Sequence, residues 1–293
     1  MRLSYSGGNM AMKCQRKWYL KYIKKAEVDS DSQDDALALR EGKAMHMVLE
    51  YSNRDARNYK EEYLITAARE NSLDNESLYK VYACLYSYYR LHAPSGLTVV
   101  GTEVEVGDDT YIGYIDSIMA DSNGNWWMED TKSSGMVMET LFSRLEEDQQ
   151  LNLYAHYAPQ VASKLNLDIN KFVGARYRVV QKPRIVPRLN EPLKDYAKRA
   201  DAKAYDVEIP LAAMNPTNAY SLHMKLRDNM MNMSEQDACP NRQSCIDYNR
   251  PCEYWSHCHK GKTFTECKAG VKVFTYATMT DRTIVADSDL LGD

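Results

Sequence analysis

The stretch from Glu103 to Lys132, EVEVGDDTYIGYIDSIMADSNGNWWMEDTK, constrains the fold more than any other part of the chain. Leu97–Val106 alternates apolar residues, Gly107-Asp108-Asp109 interrupts the pattern, and Tyr111–Ala120 resumes it with β-branched and aromatic residues, which predicts a hairpin. Asp121-Ser122-Asn123-Gly124 then sets Asn-Gly between two such runs, the strongest short-range hairpin signal, and Trp126–Thr131 follows as a third strand. Asp116 falls within the second strand. Asp130 and Lys132 stand two apart on the third and so point to one face of the sheet. With Asp116 turned the same way, two carboxylates and an ammonium converge. A solvated outer face is one account of such residues. A metal site is the other, because an unpaired carboxylate is costly to desolvate, carboxylates are the ligands Mg²⁺ prefers, and a neighbouring lysine can hold a phosphate or tune a water.

With 293 residues the chain can build one large domain or two small ones. No apolar run approaches the roughly 18 residues of a membrane span, and the amino terminus lacks the apolar stretch of a secretory signal, so a cytoplasmic protein is expected. In that compartment the 7 cysteines point to metal ligation or burial rather than disulfides. The net charge of -4 argues against a surface uniformly coated for nucleic acid, although phosphate binding needs only a basic groove.

Helical spacing is predicted over Met12–Lys25, where Cys14, Trp18, Tyr22 and Ile23 can share a face, and over Ala36–Ser52, where His46 sits among Leu39, Met45, Val48 and Leu49. A lone histidine in such a stripe is more often structural than a ligand. Further helices are expected over Lys60–Arg69, Ser77–Leu91, Met138–Tyr157 (ending before Pro159), Leu193–Ala204 and Ala219–Met233, with strands at Phe172–Val180 and Asp206–Leu211. Gln150 and Tyr154, four apart, share a helix face. Arg176, Arg178, Lys182, Arg184, Arg188, Lys194, Lys198 and Arg199 form either a solvated face or the wall of a phosphate-tracking groove.

From Cys239 the sequence reads CPNRQSCIDYNRPCEYWSHCHK, which gathers Cys239, Cys245, Cys252 and Cys258 in one Pro- and Asn-punctuated loop. A segment with so little apolar content cannot easily bury four thiols, but a ligated metal or cluster can order it. The gaps are wider than the Cys-x2-Cys pairs of structural zinc, and iron-sulfur clusters accept more varied spacing. Cys84 and Cys267 read as ordinary cysteines.

Taken in order, these pieces resemble the PD-(D/E)xK nuclease superfamily, and within it the RecB-like exonucleases with an iron-sulfur cluster, including those of bacteriophages and of CRISPR adaptation. SYSGGNMAMKCQRKWYL at 4–20 is similar to that family's opening helix, and GKAMH at 42–46 to its Gly-x-x-x-His helix. GYID at 113–116 and EDTKSS at 129–134 resemble the core acidic motifs, QLNLY at 150–154 the Gln-x-x-x-Tyr motif, and the terminal cysteines complete the order. Two features depart from the pattern: Ile115 stands where the name-giving motif has proline, and Cys245 to Cys252 is wider than Cys-x-x-Cys.

The resemblance implies an α/β fold, a restriction-endonuclease-like mixed sheet core flanked by helices, with a helical amino-terminal part and a carboxy-terminal cysteine-cluster loop. One nuclease domain over residues 1–267 is expected, divided into a helical part (1–95), a sheet core (96–211) and a helix and cysteine region (212–267), with a tail at 268–293. It further implies His46, Asp116 and Asp130 as ligands of Mg²⁺ or Mn²⁺, Lys132 as the catalytic lysine, and Gln150 with Tyr154 as DNA-positioning residues. Glu103 or Glu105 would add a carboxylate. Cys14, Cys245, Cys252 and Cys258 would hold a 4Fe-4S cluster, with Cys239 the rival of Cys14.

The activity implied is a DNA exonuclease acting at ends or in single strands, in recombination, repair or related processing. Its setting would be a bacterial cell or phage-infected host, with recombination or helicase proteins as partners. The alternative is a catalytically inactive iron-sulfur DNA-binding or recombination-accessory protein, which would have no reason to keep the carboxylate-lysine set. A zinc-stabilised protein of unrelated function is a third reading.

Overall fold

The structure is a computed structural model, and it describes residues 1–28, 37–55, 59–92, 96–136, 138–146, 148–235, 237, 238, 241, 245–247, 250–260, 265, 266 and 272–274. Cys239, Cys267 and the tail expected after 268, apart from 272–274, lie outside the described residues. The chain divides into two compact units, Met1–Asn9 with Asp35–Asn232, and Met10–Asp34 with Met233–Asp293.

A short strand β1 (Leu3–Ser4) leads into α1 (Tyr5–Lys13), followed by α2 (Gln15–Trp18), a π-helical turn (Tyr19–Ile23) and β2 (Ala26–Val28). The single helix expected over Met12–Lys25 is therefore parted at Cys14. That residue leaves the helical region (φ -158, ψ 104), and its Sγ caps α2 by accepting from Lys17 N. Three helices come next: α3 (Leu37–Arg54), α4 (Glu61–Glu70) and α5 (Asn75–His92). Ala44, Met45, Val48 and Leu49 of α3 pack on Leu64 and Ala67 of α4 and on Val81, Leu85 and Tyr88 of α5, as the 3.6-residue period requires.

The sheet begins with β3 (Thr98–Gly107), β4 (Tyr111–Ala120) and β5 (Trp126–Ser134), an antiparallel meander with the two expected turns. After it come α6 (Met138–Glu146), α7 (Gln150–His156) and α8 (Ala158–Leu165). The helix expected to run unbroken from Met138 to Tyr157 is interrupted ahead of α7, where Asp148 Oδ1 accepts from Gln150 N at 2.8 Å. Pro159, expected to end a helix, instead sits in the first turn of α8, where its missing N–H would have been unpaired anyway. Next are β6 (Phe172–Gln181), α9 (Leu193–Ala200), β7 (Ala204–Pro210) and α10 (Pro216–Met231), then β8 (Ile246–Asp247), β9 (Arg250–Pro251), α11 (Trp255–Lys260), β10 (Thr265–Glu266) and β11 (Lys272–Phe274).

The main sheet of the larger unit has the order β1-β4-β5-β6-β7, with β3 also on β4; β1/β4 and β5/β6 are parallel and the other pairs antiparallel. This mixed sheet flanked by helices has the fold class expected from the sequence. Its decisive irregularity lies between β4 and β5, whose pairing ends at Ser117↔Glu129. A strand has two edges, and β3 occupies one edge of β4 along most of its length. The other edge is held by β5 from Ser117 to Ala120 and by β1 at Tyr111 and Ile112, so among the described residues Gly113–Asp116 have no strand partner there. Side chains replace the missing ladder. The Tyr154 hydroxyl donates to the Tyr114 carbonyl at 2.7 Å, and Thr131 N donates to Asp116 Oδ2 at 2.8 Å. Gly113 permits this, because a Cβ there would meet Tyr111 OH at 2.6 Å and Tyr154 Cε1 at 2.8 Å.

On the sheet face opposite Asp130 lies a buried ionic layer. Arg178 Nε approaches Glu129 Oε2 at 2.5 Å, both side chains being fully buried. Ser117 and Tyr88 donate to Glu129 Oε1 at 3.1 and 3.4 Å, and the guanidinium lies over the Tyr88 ring. Arg176 pairs with Glu208, Lys182 with Glu41, and Arg199 with Glu191. Much of the basic run read as a solvated face or a phosphate groove is therefore consumed in internal pairs. Arg176 and Arg178, two apart on β6, share one face, and that face is packed.

In the smaller unit β2 pairs in parallel with β11, which pairs antiparallel with β10. Leu20, Ala26 and Tyr254 form its core, and the Tyr254 hydroxyl donates to the Ala26 carbonyl. Arg16 and Lys24 both pair with Glu235, and Lys17 pairs with Glu253. No helix among the described residues is long and apolar enough to cross a membrane.

Removing one member of the buried pair leaves a charge without its counter-ion, so Arg178→Met is expected to destabilise by about 3–5 kcal/mol, whereas Arg178→Met with Glu129→Leu recovers most of the loss. Urea unfolding of the three proteins decides this; a double variant no more stable than the single one overturns it.

Candidate active site

Four elements deliver side chains to the opening between β4 and β5. α3 brings His46, β4 brings Asp116, β5 brings Asp130 and Lys132, and α7 brings Gln150 and Tyr154. His46 Nδ1 lies 3.2 Å from Asp116 Oδ2, the same oxygen that receives Thr131 N. Lys132 Nζ lies 2.7 Å from Asp130 Oδ2 and donates to Gln150 Oε1 at 2.8 Å, while Gln150 Nε2 donates to the Tyr154 hydroxyl at 2.9 Å. The structure thus joins His46, Asp116, Asp130, Lys132, Gln150 and Tyr154 in one hydrogen-bonded and electrostatic network.

The electrostatics follow from burial. Asp130 is 2% exposed, and burial pushes its carboxyl up to about 6 despite the opposing pull of the Lys132 ammonium; the Asp116 charge adds to the rise. Asp116 itself is held below the usual carboxylate range: burial works against it, and the His46 ring, the Thr131 N–H and Lys132 outweigh burial. Burial likewise works against a charged imidazole at His46, yet Asp116 wins and the ring's pKa rises to about 9. Lys132 is raised too, since Asp130 and Asp116 outweigh its desolvation.

Glu103 joins the group. Burial and then the Asp116 charge push its carboxyl up to about 7, whereas Glu105 pairs with Arg2 and the Tyr114 hydroxyl. The residue sits mid-strand with a positive φ of 47°, between Thr102↔Ser117 and Val104↔Ile115, which makes it the local irregularity facing Asp116. A left-handed backbone at a non-glycine residue stores roughly 1–3 kcal/mol and is tolerated chiefly at functional sites. Strand alternation gave no sign of it. Two further residues escaped the sequence reading: Asp148, which accepts from the Tyr5 hydroxyl as well as from Gln150 N, and Glu129, whose pairing with Arg178 backs Asp130 from the other face.

Carboxylates and an imidazole are the donor set of a hard divalent cation. Desolvation beside Asp116 disfavours the charged forms of the buried Asp130 and the half-buried Glu103, which such an ion would stabilise. In chemistry, therefore, His46, Asp116, Asp130 and Glu103 fit Mg²⁺ or Mn²⁺. In arrangement, Asp116 is engaged by His46 and Asp130 by Lys132, and among the described residues no group of three or more His, Cys, Asp or Glu is already placed to hold a metal ion.

Among the described residues the smaller unit holds four cysteines, none in a disulfide: Cys14 and Cys245 buried, Cys252 half-buried and Cys258 exposed. Burial raises the Cys252 thiol and pushes Cys258 up to about 11, and the thiols of Cys252, Cys14 and Cys245 add to the rise at Cys258. Cys14 Sγ accepts from Lys17 N and Asn241 N, each at 3.5 Å, and Cys252 N donates to the Cys245 carbonyl. Cys84 is buried among apolar side chains, which push its thiol up to about 12 and leave it inert.

A mixed sheet that opens to seat two carboxylates and a lysine at Asp-x-Lys spacing defines the restriction-endonuclease-like nuclease class. The chain belongs to the PD-(D/E)XK nuclease superfamily, whose family model matches residues 2–259, and members of that superfamily are metal-dependent nucleases that typically use Mg²⁺ or Mn²⁺. Among solved structures, the chain is similar to SSO0001, with 13% identity over 84% of this chain and 92% of that one and a TM-score of 0.31. Comparison with curated proteins gives no match.

Glu103→Asn removes the carboxylate while supplying a residue that tolerates left-handed backbone. It is expected to raise Tm by a few degrees, at about 2–4 °C per kcal/mol for a unit of this size, while weakening Mg²⁺ binding. Calorimetric melting and Mg²⁺ titration check it; a lowered Tm contradicts the strain reading.

Proposed function

We propose that the protein is a metal-dependent DNA exonuclease, hydrolysing phosphodiester bonds at DNA ends or in single strands during recombination, repair or related processing. The observation that carries this reading is the convergence of His46, Asp116, Asp130 and Lys132 at the opening of the sheet, tied through Lys132 to Gln150. Asp116, Asp130 and His46 are the residues that would hold the ion, with Glu103 beside them. A divalent ion bound there supplies Lewis-acid polarisation of the phosphate and lowers the pKa of a water from near 16 towards neutrality.

The chain's own groups supply the rest. The Lys132 ammonium, kept protonated by Asp130 and Asp116, is aimed by Gln150 Oε1 and donates to the phosphate oxygen on which charge builds in the transition state. Thr131 N fixes the Asp116 carboxylate. Tyr154 is 4% exposed and spends its hydroxyl on Tyr114 and Gln150, so it positions DNA indirectly, by setting Gln150 and the β4 backbone.

Cys14, Cys245, Cys252 and Cys258 are, in this proposal, ligands of a 4Fe-4S cluster in the smaller unit. Their mutual proximity supports it, as do the two N–H groups directed at Cys14 Sγ, since hydrogen bonds to sulfur tune such clusters. Cys239, the rival ligand, lies outside the described residues. Cys252 and Cys258, whose charged forms burial disfavours, gain most from a cation that takes them as thiolates.

Lys132→Ala and Asp130→Asn are expected to lower kcat by at least about a hundredfold with unchanged circular dichroism. Linear duplexes and single strands should be degraded with Mg²⁺ or Mn²⁺ while covalently closed circles survive and EDTA stops the reaction. Full activity of the lysine variant refutes the site, and equally rapid cutting of closed circles refutes the exonuclease assignment. Anaerobically purified protein should carry iron and absorb in the visible, and Cys14→Ser should bleach it; a colourless, zinc-loaded sample refutes the cluster.

A further inference from the structure

Between β6 and α9 the chain forms the loop 182–192, KPRIVPRLNEP, whose apolar residues point outward. Leu189 is 92% exposed, Val186 58% and Ile185 37%. Arg184, just before them, and Arg188, between Val186 and Leu189, are exposed as well. An apolar tip of this kind would ordinarily fold back onto the protein, but here the backbone is held from beneath. The Tyr196 hydroxyl donates to the Ile185 carbonyl at 2.8 Å and Arg199 to the Val186 carbonyl at 3.0 Å. Glu191 accepts from Arg188 N and from Arg199, and its own carbonyl accepts from the Tyr79 hydroxyl. Pro183, Pro187 and Pro192 restrict the segment further. At the start of the loop Lys182 N donates to the Ser134 carbonyl, and its ammonium to Ala38 and Glu41. A braced loop that keeps aliphatic side chains in water between arginines is built for a ligand with both apolar and anionic parts.

The loop leaves β6 three residues beyond Val179, the partner of Lys132 on the parallel β5, so its first residue stands about 10 Å further along β6 than that partner, at the same end of the sheet as the lysine. We propose that this loop is a strand-separating wedge for the end of a DNA duplex, with Val186 and Leu189 entering the terminal base step and Arg184 and Arg188 holding the flanking phosphates. Aliphatic wedges unstack base steps in this way in other proteins, and arginine supplies the phosphate contact. The wedge deepens the nuclease reading above and rests on it for its biological use: it would deliver a single strand to the opening between β4 and β5.

The test separates the two. Full-length protein in EDTA, where no cleavage occurs, is mixed with a blunt duplex carrying 2-aminopurine at its terminal pair. Wild-type protein should raise the fluorescence as the base unstacks, and Val186→Ser with Leu189→Ser should abolish the rise. Arg184→Gln with Arg188→Gln should lower the slope of log affinity against log salt by roughly 0.9 for each phosphate that is no longer neutralised. With metal, the serine variant should cut blunt duplex about tenfold or more slowly, in line with weakened stacking on the bases, and recover on a duplex whose end is already frayed. No fluorescence change with wild-type protein, no binding to duplex ends, or an undiminished change with the serine variant overturns the wedge; in the last case the apolar tip would belong to a protein interface. An active Lys132→Ala protein would refute the catalytic site while leaving the fluorescence result to decide the wedge.

Discussion

A strand that loses its neighbour in mid-sheet exposes carbonyl and amide groups that must find other partners, and the larger unit is built around one such loss. Beyond Ser117↔Glu129 the ladder between β4 and β5 stops, and an unpaired buried backbone group costs about as much as a missing hydrogen bond. Residues of the candidate site make good the deficit: Tyr154 takes the Tyr114 carbonyl, and Asp116 takes the Thr131 amide. Structure and site therefore share the same hydrogen bonds. Gly113 has to be glycine for the same reason, since the tyrosine that repairs the ladder lies where a Cβ would project.

Charge is handled in two layers divided by the sheet. On one face Glu129 and Arg178 are fully buried as an ion pair, with Ser117 and Tyr88 donating to the carboxylate. On the other, one residue along β5, Asp130 pairs with an ammonium that is still partly exposed. The first pair is closed and serves packing and register, whereas the second stays within reach of solvent and of a phosphate. Adjacent residues of one strand thus carry opposite assignments, and the pleat alone separates them.

The sequence revealed those parts of the fold that depend on local pattern. β4 runs over Tyr111–Ala120 as the alternation and the Asn-Gly turn indicate, and Asp130 and Lys132 share a face because they are two apart. It did not reveal what depends on partners far along the chain. Arg176 and Arg178 alternate like solvent-facing residues, and nothing near them shows that Glu208, Asp206 and Glu129 wait across neighbouring strands. Glu103 carries no mark of its left-handed backbone, because glutamate is not a residue that favours it. Pro159 signals a break correctly but not that a new helix begins there. The motif order along the chain, more than any single motif, made the superfamily legible.

The smaller unit is assembled from two segments separated by nearly the whole of the larger one, and this governs when it can form. β2 waits for β11, and the segment that carries Cys14 waits for the one that carries Cys245, Cys252 and Cys258. At ordinary rates of synthesis the first segment spends about 10–40 s without its counterpart, while the larger unit can already be folding. Throughout that interval the thiol of Cys14, buried in the finished unit, is open to oxidation, so the order of synthesis leaves the earliest cysteine of that unit exposed for longest.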